Sequence, residues 1–167
     1  MHDHINCLLA SLFVLCIAVI GNRFTTSGMH WYHTIKKPSW TPSGRMIGLV
    51  WTTIFVLFAL SAIIVLNSTT FTATTALNAH PSHDERTWLI ALFGLNGFLN
   101  VFWSYAFFYR HQLYTAAYEA AVLDLSVIAL MIVVWPISRT ASLFLLPYAL
   151  WVAFASYLAN RVAWMNR

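Results

Sequence analysis

Long uncharged, apolar stretches recur along the chain and alternate with short polar segments. A helix needs about 20 mainly apolar residues to cross a bilayer, and five stretches reach that length. Each is continuously apolar, whereas a membrane β-barrel strand alternates between apolar and polar positions. The pattern predicts an all-α, polytopic membrane protein, a single domain over 1–167 built as a five-helix bundle. The predicted spans are approximately 4–25, 46–66, 87–109, 112–135 and 140–163.

The composition supports a membrane location. Of the 167 residues 60% are hydrophobic and 8% are charged, whereas a soluble domain has about 25% charged residues. This excludes a cytosolic enzyme and makes the lipid bilayer the first partner. Nine Lys and Arg residues are scattered along the chain, whereas nucleic-acid binding needs clustered cations. No nucleic-acid partner is therefore expected.

Two cysteines, Cys7 and Cys16, lie in the first apolar run. Nine residues along a helix separate them by about 13 Å, and a disulfide needs Cα atoms within about 7 Å. We expect two unpaired cysteines that act as small buried hydrophobic residues.

The distribution of cations predicts the orientation in the membrane. With five spans, one side carries only two cations, Arg86 and Arg139. The other side carries seven: Arg23, Lys36, Lys37, Arg45, Arg110, Arg161 and Arg167. Cytoplasmic loops are enriched in Lys and Arg. We therefore expect the first loop (26–45) and the C-terminus in the cytoplasm, and the N-terminus on the opposite side.

The first loop has an unusual composition, with Trp31, Tyr32, Pro38, Trp40 and Pro42 within twelve residues. Proline interrupts helices, and Trp and Tyr favour the membrane interface. The loop is expected to form a structured element at the interface. It would serve either as a lid over a binding site or as a simple aromatic anchor.

Aromatic and amide side chains recur at helical spacing on three spans. The second span carries Trp51, Phe55 and Phe58; the third carries Asn96, Asn100, Trp103 and Phe107; the fifth carries Tyr148, Trp151 and Ala155. Residues at such spacing share one helix face. If the three faces converge, they form an aromatic cavity under the first loop that suits a flat, hydrophobic ligand. The alternative is helix packing in which asparagines hydrogen-bond between helices.

Two acids, Glu119 and Asp124, lie inside the fourth span. Carboxyl groups within a membrane are costly and mark candidate functional sites. They would take part either in structural hydrogen bonds or in proton-coupled transport, for which Asp124 is the deeper candidate.

Histidine pairs offer a competing interpretation. His30 with His33, and His80 with His83 and Asp84, have spacings that a metal ion could use. The predicted topology puts the two pairs on opposite sides, so they cannot form one site, and no metal site is predicted.

Small residues at Ala91, Gly94 and Gly97 line one edge of the third span. Such edges allow two helices to approach closely. They predict a homodimer contact, with packing inside the monomer as the alternative.

Several sequence blocks together resemble the signature of the TspO/MBR family, which comprises the translocator protein and the bacterial tryptophan-rich sensory proteins. The resemblance extends from Arg23 to Leu158 in the family order. The blocks are Trp31-Tyr32, Lys37-Pro38-Ser39-Trp40-x-Pro42, Val50-Trp51, Leu99-Asn100-x-x-Trp103-Ser104-x-x-Phe107-Phe108 and Pro147-Tyr148-x-x-Trp151-x-x-Phe154-Ala155.

The resemblance implies that porphyrin-type tetrapyrroles, heme among them, and isoquinoline or benzodiazepine compounds bind in one pocket under the first loop. No obligatory cofactor is implied. Carried onto this chain, the pocket involves Trp31, Tyr32, Pro42, Trp51, Phe55, Asn100, Trp103, Tyr148 and Trp151, to which the shared faces add Asn96, Phe107 and Ala155. A sterol-binding pattern, Val152, Tyr157 and Arg161, is also present but matches many helix ends.

These expectations describe a membrane receptor or carrier for porphyrin-type ligands with a sensing, transport or scavenging role. Two alternatives stay open. The resemblance implies that Trp51 and Trp151 match tryptophans associated with light-dependent porphyrin degradation, which would make the protein an enzyme. The intramembrane acids would instead support a proton-coupled transporter of an amphipathic molecule.

Overall fold

The computed structural model describes residues 2–68 and 83–167, with side chains from residue 4 and, after the gap, from residue 87. Within these residues the chain forms five long α-helices. They are α1 (His2–Thr34), α2 (Gly44–Leu66), α3 (His83–Ser104), α4 (Leu113–Val134) and α5 (Arg139–Met165), and a π-helical turn, Tyr105–Tyr109, extends α3. Each helix is long and apolar enough to cross a membrane. The predicted all-α membrane bundle is confirmed.

The first helix is longer than predicted. It was expected to end near residue 25, but α1 continues to Thr34, and the loop is shortened from 26–45 to 35–43. No proline occurs before Pro38, so nothing in the intervening sequence breaks the helix. Its 33 residues correspond to about 50 Å. Arg23 therefore lies within the helix, about 16 Å before its end, and not in the loop.

Serine side chains define where two helices begin. The Ser43 hydroxyl accepts a hydrogen bond from the backbone N–H of Met46 at the start of α2, and Ser138 accepts one from Ala141 at the start of α5, both at 3.3 Å. Such N-caps satisfy N–H groups that have no partner within the helix. The start of α1 is attached to the end of α2, because the Asn6 amide donates to the Asn67 side-chain oxygen at 2.8 Å.

The five helices form a closed ring. Neighbouring pairs follow the order α1, α2, α5, α4, α3 and back to α1, and α4 packs most extensively against α5. Loop 35–43, the link 110–112 and the C-terminus lie together at one end of the ring, as shown by contacts between Lys36 and Asn166 and between Trp31 and His111. We call this the first-loop end.

The interior of the ring is filled with side chains of every helix. The largest core cluster includes Val14, Phe58, Phe93, Leu130 and Tyr148, one or more residues from each of the five helices. The exposed side chains of the helices are mostly apolar as well, as expected where lipid replaces water. The cysteines are unpaired, as predicted. Cys16 is exposed, however, and not buried, because it lies on the outward face of α1.

The π-helical turn was not predicted, since residues 87–109 were expected to form one regular span. Its wider turn allows three consecutive side chains, Ala106, Phe107 and Phe108, to be buried together. After it, His111 reverses the chain with a positive φ of 55°. π-Turns often occur at functional sites, and this one packs against α1.

Candidate functional site

Tyr148 of α5 is the point at which three predicted helix faces meet. Its ring lies 6.0 Å from Trp51 and 5.8 Å from Phe58 on α2, both edge-on. On the other side, the Asn100 amide of α3 donates a hydrogen bond to the Tyr148 hydroxyl at 2.9 Å. Phe55 contacts Trp51 at 5.6 Å. The aromatic and amide faces of α2, α3 and α5 therefore converge inside the ring.

A second aromatic group lies nearer the first-loop end. Phe107 is in contact with Trp31 at 5.8 Å, with Tyr32 at 6.0 Å and, in a stacked arrangement, with Trp103 at 5.1 Å. Trp31 and Tyr32 were predicted as loop residues, but they belong to the last turns of α1. Their rings reach inward from that helix and cover the end of α3.

The loop itself is held down at two points. The Asn166 side chain accepts a hydrogen bond from the Lys36 backbone N–H at 3.0 Å and donates one to the Lys36 carbonyl at 2.9 Å. Trp40 stacks on Tyr157 at 5.6 Å and contacts Phe154 edge-on at 5.9 Å. The loop thus closes over α5, next to the inner aromatic residues.

The predicted site residues consequently fall into two adjacent groups. The first group lines the ring interior and consists of Trp51, Phe55, Asn96, Asn100 and Tyr148. The second group lies nearer the first-loop end and consists of Trp31, Tyr32, Trp103 and Phe107. Trp151 contacts Phe154 at 5.5 Å, which connects the interior with the residues under Trp40. Pro42 and Ala155 are half-buried.

The sterol pattern does not occupy one surface. Val152 is buried in the core, whereas Tyr157 and Arg161 are exposed. Five residues along a helix correspond to a rotation of about 140°, which separates Val152 from Tyr157. The exposed ring of Tyr157 is stacked against Trp40 of the loop.

Several buried polar atoms in the described residues have no hydrogen-bond partner. The indole N–H groups of Trp103 and Trp151 are among them. An unsatisfied buried donor is costly, so both indoles are available to donate to a ligand's oxygen atoms. Both tryptophans were predicted site residues, but the sequence could not show that their N–H groups lack a partner, because partners come from the neighbouring helices.

Three carboxyl oxygens of the acids on α4 are also without hydrogen-bond partners. Both carboxyl oxygens of Glu119 and one of Asp124 are buried and unpaired. The predicted structural hydrogen bonds to these carboxyl groups are therefore not observed for those three oxygens. Nearby, Asn96 donates to Ser126 at 2.7 Å, which links α3 to α4.

The remaining sequence predictions have different outcomes. The small residues Ala91, Gly94 and Gly97 were predicted to form a dimer contact on the third span. Of these, Gly97 is buried against Phe13 and Ile17 of α1, so it contributes to packing inside the chain. The homodimer stays a prediction.

His30 and His33 are exposed, and among the described side chains no three His, Cys, Asp or Glu residues form a metal-binding group. The second histidine pair lies outside the side chains that the structure describes.

Sequence reasoning missed the residues that close the first-loop end. A surface cavity of about 380 Å³ lies between the start of α4 and Asn166, lined by His111, Gln112, Leu113, Tyr114, Thr115 and Asn166. No sequence signal marked Asn166, because its three hydrogen bonds join segments 130 residues apart or lie within its own helix.

Comparison with known proteins identifies the family. The model of the TspO/MBR family matches residues 10–165. The chain belongs to the TspO/MBR family. Among its relatives is membrane protein YtaB of Bacillus subtilis, which is 37% identical over 136 residues, covering 81% of this chain and 80% of that protein.

Two further relatives extend the comparison over more of the chain. The tryptophan-rich protein TspO of Chlorobaculum tepidum is 30% identical and covers 95% of both chains. The human translocator protein is 26% identical, covering 88% of this chain and 81% of its own. The protein is thus a multi-pass membrane member of a family that spans bacteria and animals.

Proposed function

We propose that this TspO/MBR family protein binds a porphyrin-type tetrapyrrole inside its helix ring, under loop 35–43, and acts as a receptor or carrier. The observation that carries the proposal is the convergence of aromatic faces from α2, α3 and α5 at Tyr148. A site for a flat hydrophobic ligand is lined mainly by aromatic and apolar side chains, with a few polar groups that fix its orientation.

The polar groups suit such a ligand. Porphyrins carry carboxylate side chains, which accept hydrogen bonds, and the buried indole N–H groups of Trp103 and Trp151 are donors without partners. Loop 35–43 is held against α5 by Trp40 and Asn166, and it would act as a lid that excludes solvent from the ligand. The aromatic rings are in mutual contact in the structure, so a ligand of this size would bind by separating them.

A dark titration tests the proposal. Purified protein in non-ionic detergent is titrated with protoporphyrin IX while porphyrin absorbance is followed. We expect saturable binding, and a Trp103→Leu variant should weaken it about tenfold because stacking and a hydrogen bond are lost. Trp88→Leu is the matched control, since Trp88 is 70% exposed near the other end of the ring. Absence of saturation, or equal weakening in both variants, would contradict the proposal.

The enzyme and transporter alternatives are separated by extensions of the same experiment. Illumination of the porphyrin complex should yield new absorbing products that disappear in Trp51→Phe and Trp151→Phe if the protein degrades porphyrin. Flux into proteoliposomes that is lost in Asp124→Asn would instead support transport. Isoquinoline and benzodiazepine compounds are proposed to compete with protoporphyrin for the same interior.

We also propose that the first-loop end faces the cytoplasm. Loop 35–43, the link 110–112 and the C-terminus share this end, and it carries Lys36, Lys37, Arg110, Arg161 and Arg167. The enrichment of Lys and Arg in cytoplasmic segments supports this orientation.

A further inference from the structure

Two arginines are held together on the outer surface of the first-loop end, where α4 and α5 meet. The guanidinium carbon of Arg161 lies 5.2 Å from the centre of the Trp164 ring, and that of Arg167 lies 5.9 Å from it. Arg167 Nε also donates a hydrogen bond to the Tyr114 hydroxyl of α4 at 3.1 Å. All four side chains are exposed. Contacts with two aromatic residues therefore fix both cations at the junction of the two helices.

The surface cavity of the first-loop end adjoins these arginines. Tyr114, which accepts the hydrogen bond from Arg167, is one of its lining residues. Gln112 and Thr115 also line it, and both carry side-chain donors and acceptors. Its volume of about 380 Å³ lies in the range of about 300–1,000 Å³ that is typical of small-molecule sites. A polar group larger than a single ion can therefore bind next to the two cations.

No acidic side chain neutralises this positive charge. Three of the five acidic residues lie at the starts of α1 and α3, at the opposite end of the ring: Asp3, Asp84 and Glu85. The other two lie within α4. Both carboxyl oxygens of Glu119 are buried without a partner, and Asp124 is about 17 Å along α4 from its start. The surface around Arg161 and Arg167 consequently attracts anions.

The surface of α4 next to the cavity is apolar deeper in the membrane. Tyr118, Val122 and Leu125 follow Tyr114 at positions i+4, i+8 and i+11, which share one helix face, and all three are exposed. Tyr114 and Trp164 are the residue types that favour the level of the lipid headgroups. A cationic, hydrogen-bonding end above an apolar stripe matches the two parts of an anionic lipid.

We infer that the junction of α4 and α5 at the first-loop end is a binding site for an anionic phospholipid of the phosphatidylglycerol type. Arg161 and Arg167 bind the phosphate, since guanidinium groups form strong hydrogen bonds with phosphate oxygens. The glycerol of the headgroup lies in the cavity, where Gln112 and Thr115 can bond its hydroxyls. An acyl chain follows the apolar stripe of α4.

The same features disfavour a choline headgroup. Its quaternary ammonium group neutralises the charge of the phosphate, donates no N–H hydrogen bond and is repelled by the arginines. The site lies on the outer surface and not in the ring interior, so the inference does not depend on the proposed function.

Two lipids with the same acyl chains test the selectivity. Binding of dioleoylphosphatidylglycerol and of dioleoylphosphatidylcholine to the protein in non-ionic detergent is measured by native mass spectrometry. The wild-type protein should bind the phosphatidylglycerol about tenfold or more tightly, because each arginine near anionic lipid contributes about fivefold. In the double variant Arg161→Gln/Arg167→Gln the ratio should fall to about twofold or less.

The matched control is Arg139→Gln. Arg139 lies over the ring of Trp135 at 5.8 Å, so it is an arginine with the same kind of partner, but it lies at the opposite end of α5. This variant should keep the wild-type preference. An unchanged thermal midpoint of unfolding reports that each variant is folded.

A further variant and a soluble competitor test the role of the cavity and the source of the phosphate. Thr115→Trp fills the cavity without changing the charge and should weaken phosphatidylglycerol binding severalfold. Millimolar sn-glycerol 1-phosphate should leave the lipid bound, because it lacks the acyl chains. Displacement of the lipid by micromolar sn-glycerol 1-phosphate would assign the site to a soluble phosphate ester and overturn the inference.

Three other results would also overturn it. Equal affinities for the two lipids in the wild type would show that the junction does not select an anion. An equal loss of preference in Arg139→Gln and in the double variant would mean that net charge alone attracts the lipid. Unchanged phosphatidylglycerol binding in Thr115→Trp would show that the headgroup does not occupy the cavity. The proposed function is tested separately by the protoporphyrin titration.

Discussion

Gly28 shows how one residue determines the packing of the first-loop end. A Cβ atom built at this position would collide with the backbone of Phe108 in the π-helical turn. Backbone atoms cannot move aside as the end of a side chain can, so only glycine allows α1 to pack this closely on the turn. This contact fixes where Trp31 and Tyr32, one turn later, meet Phe107.

We predict that Gly28→Ala lowers the thermal midpoint of unfolding by several degrees, because overpacking costs about 1–3 kcal/mol. The measurement is intrinsic fluorescence of the detergent-solubilised protein during heating. Gly94→Ala is the control, since a Cβ there meets nothing within 4 Å, and alanine favours helix. Equal midpoints for the two variants would show that the contact at Gly28 is not tight.

At the scale of elements, the C-terminus of α5 holds the loop in place. Asn166 is the C-cap of α5 and makes hydrogen bonds to both backbone groups of Lys36. Its side chain also donates to the Val162 carbonyl at 2.8 Å, which orients the amide. The position of the lid therefore depends on a residue at the far end of the chain.

We predict that Asn166→Ala makes the loop more accessible to protease. Trypsin should cleave the Lys36–Lys37 bond severalfold faster, because two hydrogen bonds worth about 0.5–1.5 kcal/mol each are lost. Digestion is followed by mass spectrometry in detergent. Asn160→Ala serves for comparison, as Asn160 is exposed and bonds only within its own helix among the contacts described. Unchanged cleavage in Asn166→Ala would mean that Trp40 alone holds the loop.

For the whole molecule, the closed ring places two connecting segments, the C-terminus and most cations at one end. The opposite end contains the start of α1, the end of α2 and the link between α4 and α5. This asymmetry of charge is the physical basis for a defined orientation.

We predict that a membrane-impermeant maleimide distinguishes the two ends. In a variant with Cys7 and Cys16 replaced by alanine, Ser39→Cys should react in inside-out vesicles and Thr140→Cys in right-side-out ones. Both positions are exposed. Labelling with the opposite sidedness would reverse the proposed topology, and labelling of each position from both sides would indicate mixed insertion.

The sequence by itself determined the number of helices, the approximate bounds of the four helices after α1 and which faces look inward. These features depend on local composition and periodicity, as for Asn96 and Asn100, which are both buried as predicted. It also contained the blocks through which the TspO/MBR family was recognised, and the match over residues 10–165 confirmed that membership.

Only the tertiary structure decided how these pieces act together. The close contact of Gly28 with Phe108 and the attachment of the loop by Asn166 depend on residues distant in sequence. The same holds for the unpaired carboxyl oxygens of Glu119, since hydrogen-bond partners come from neighbouring helices. Periodicity reports which side of a helix is buried, whereas the partner that covers it depends on how the ring closes.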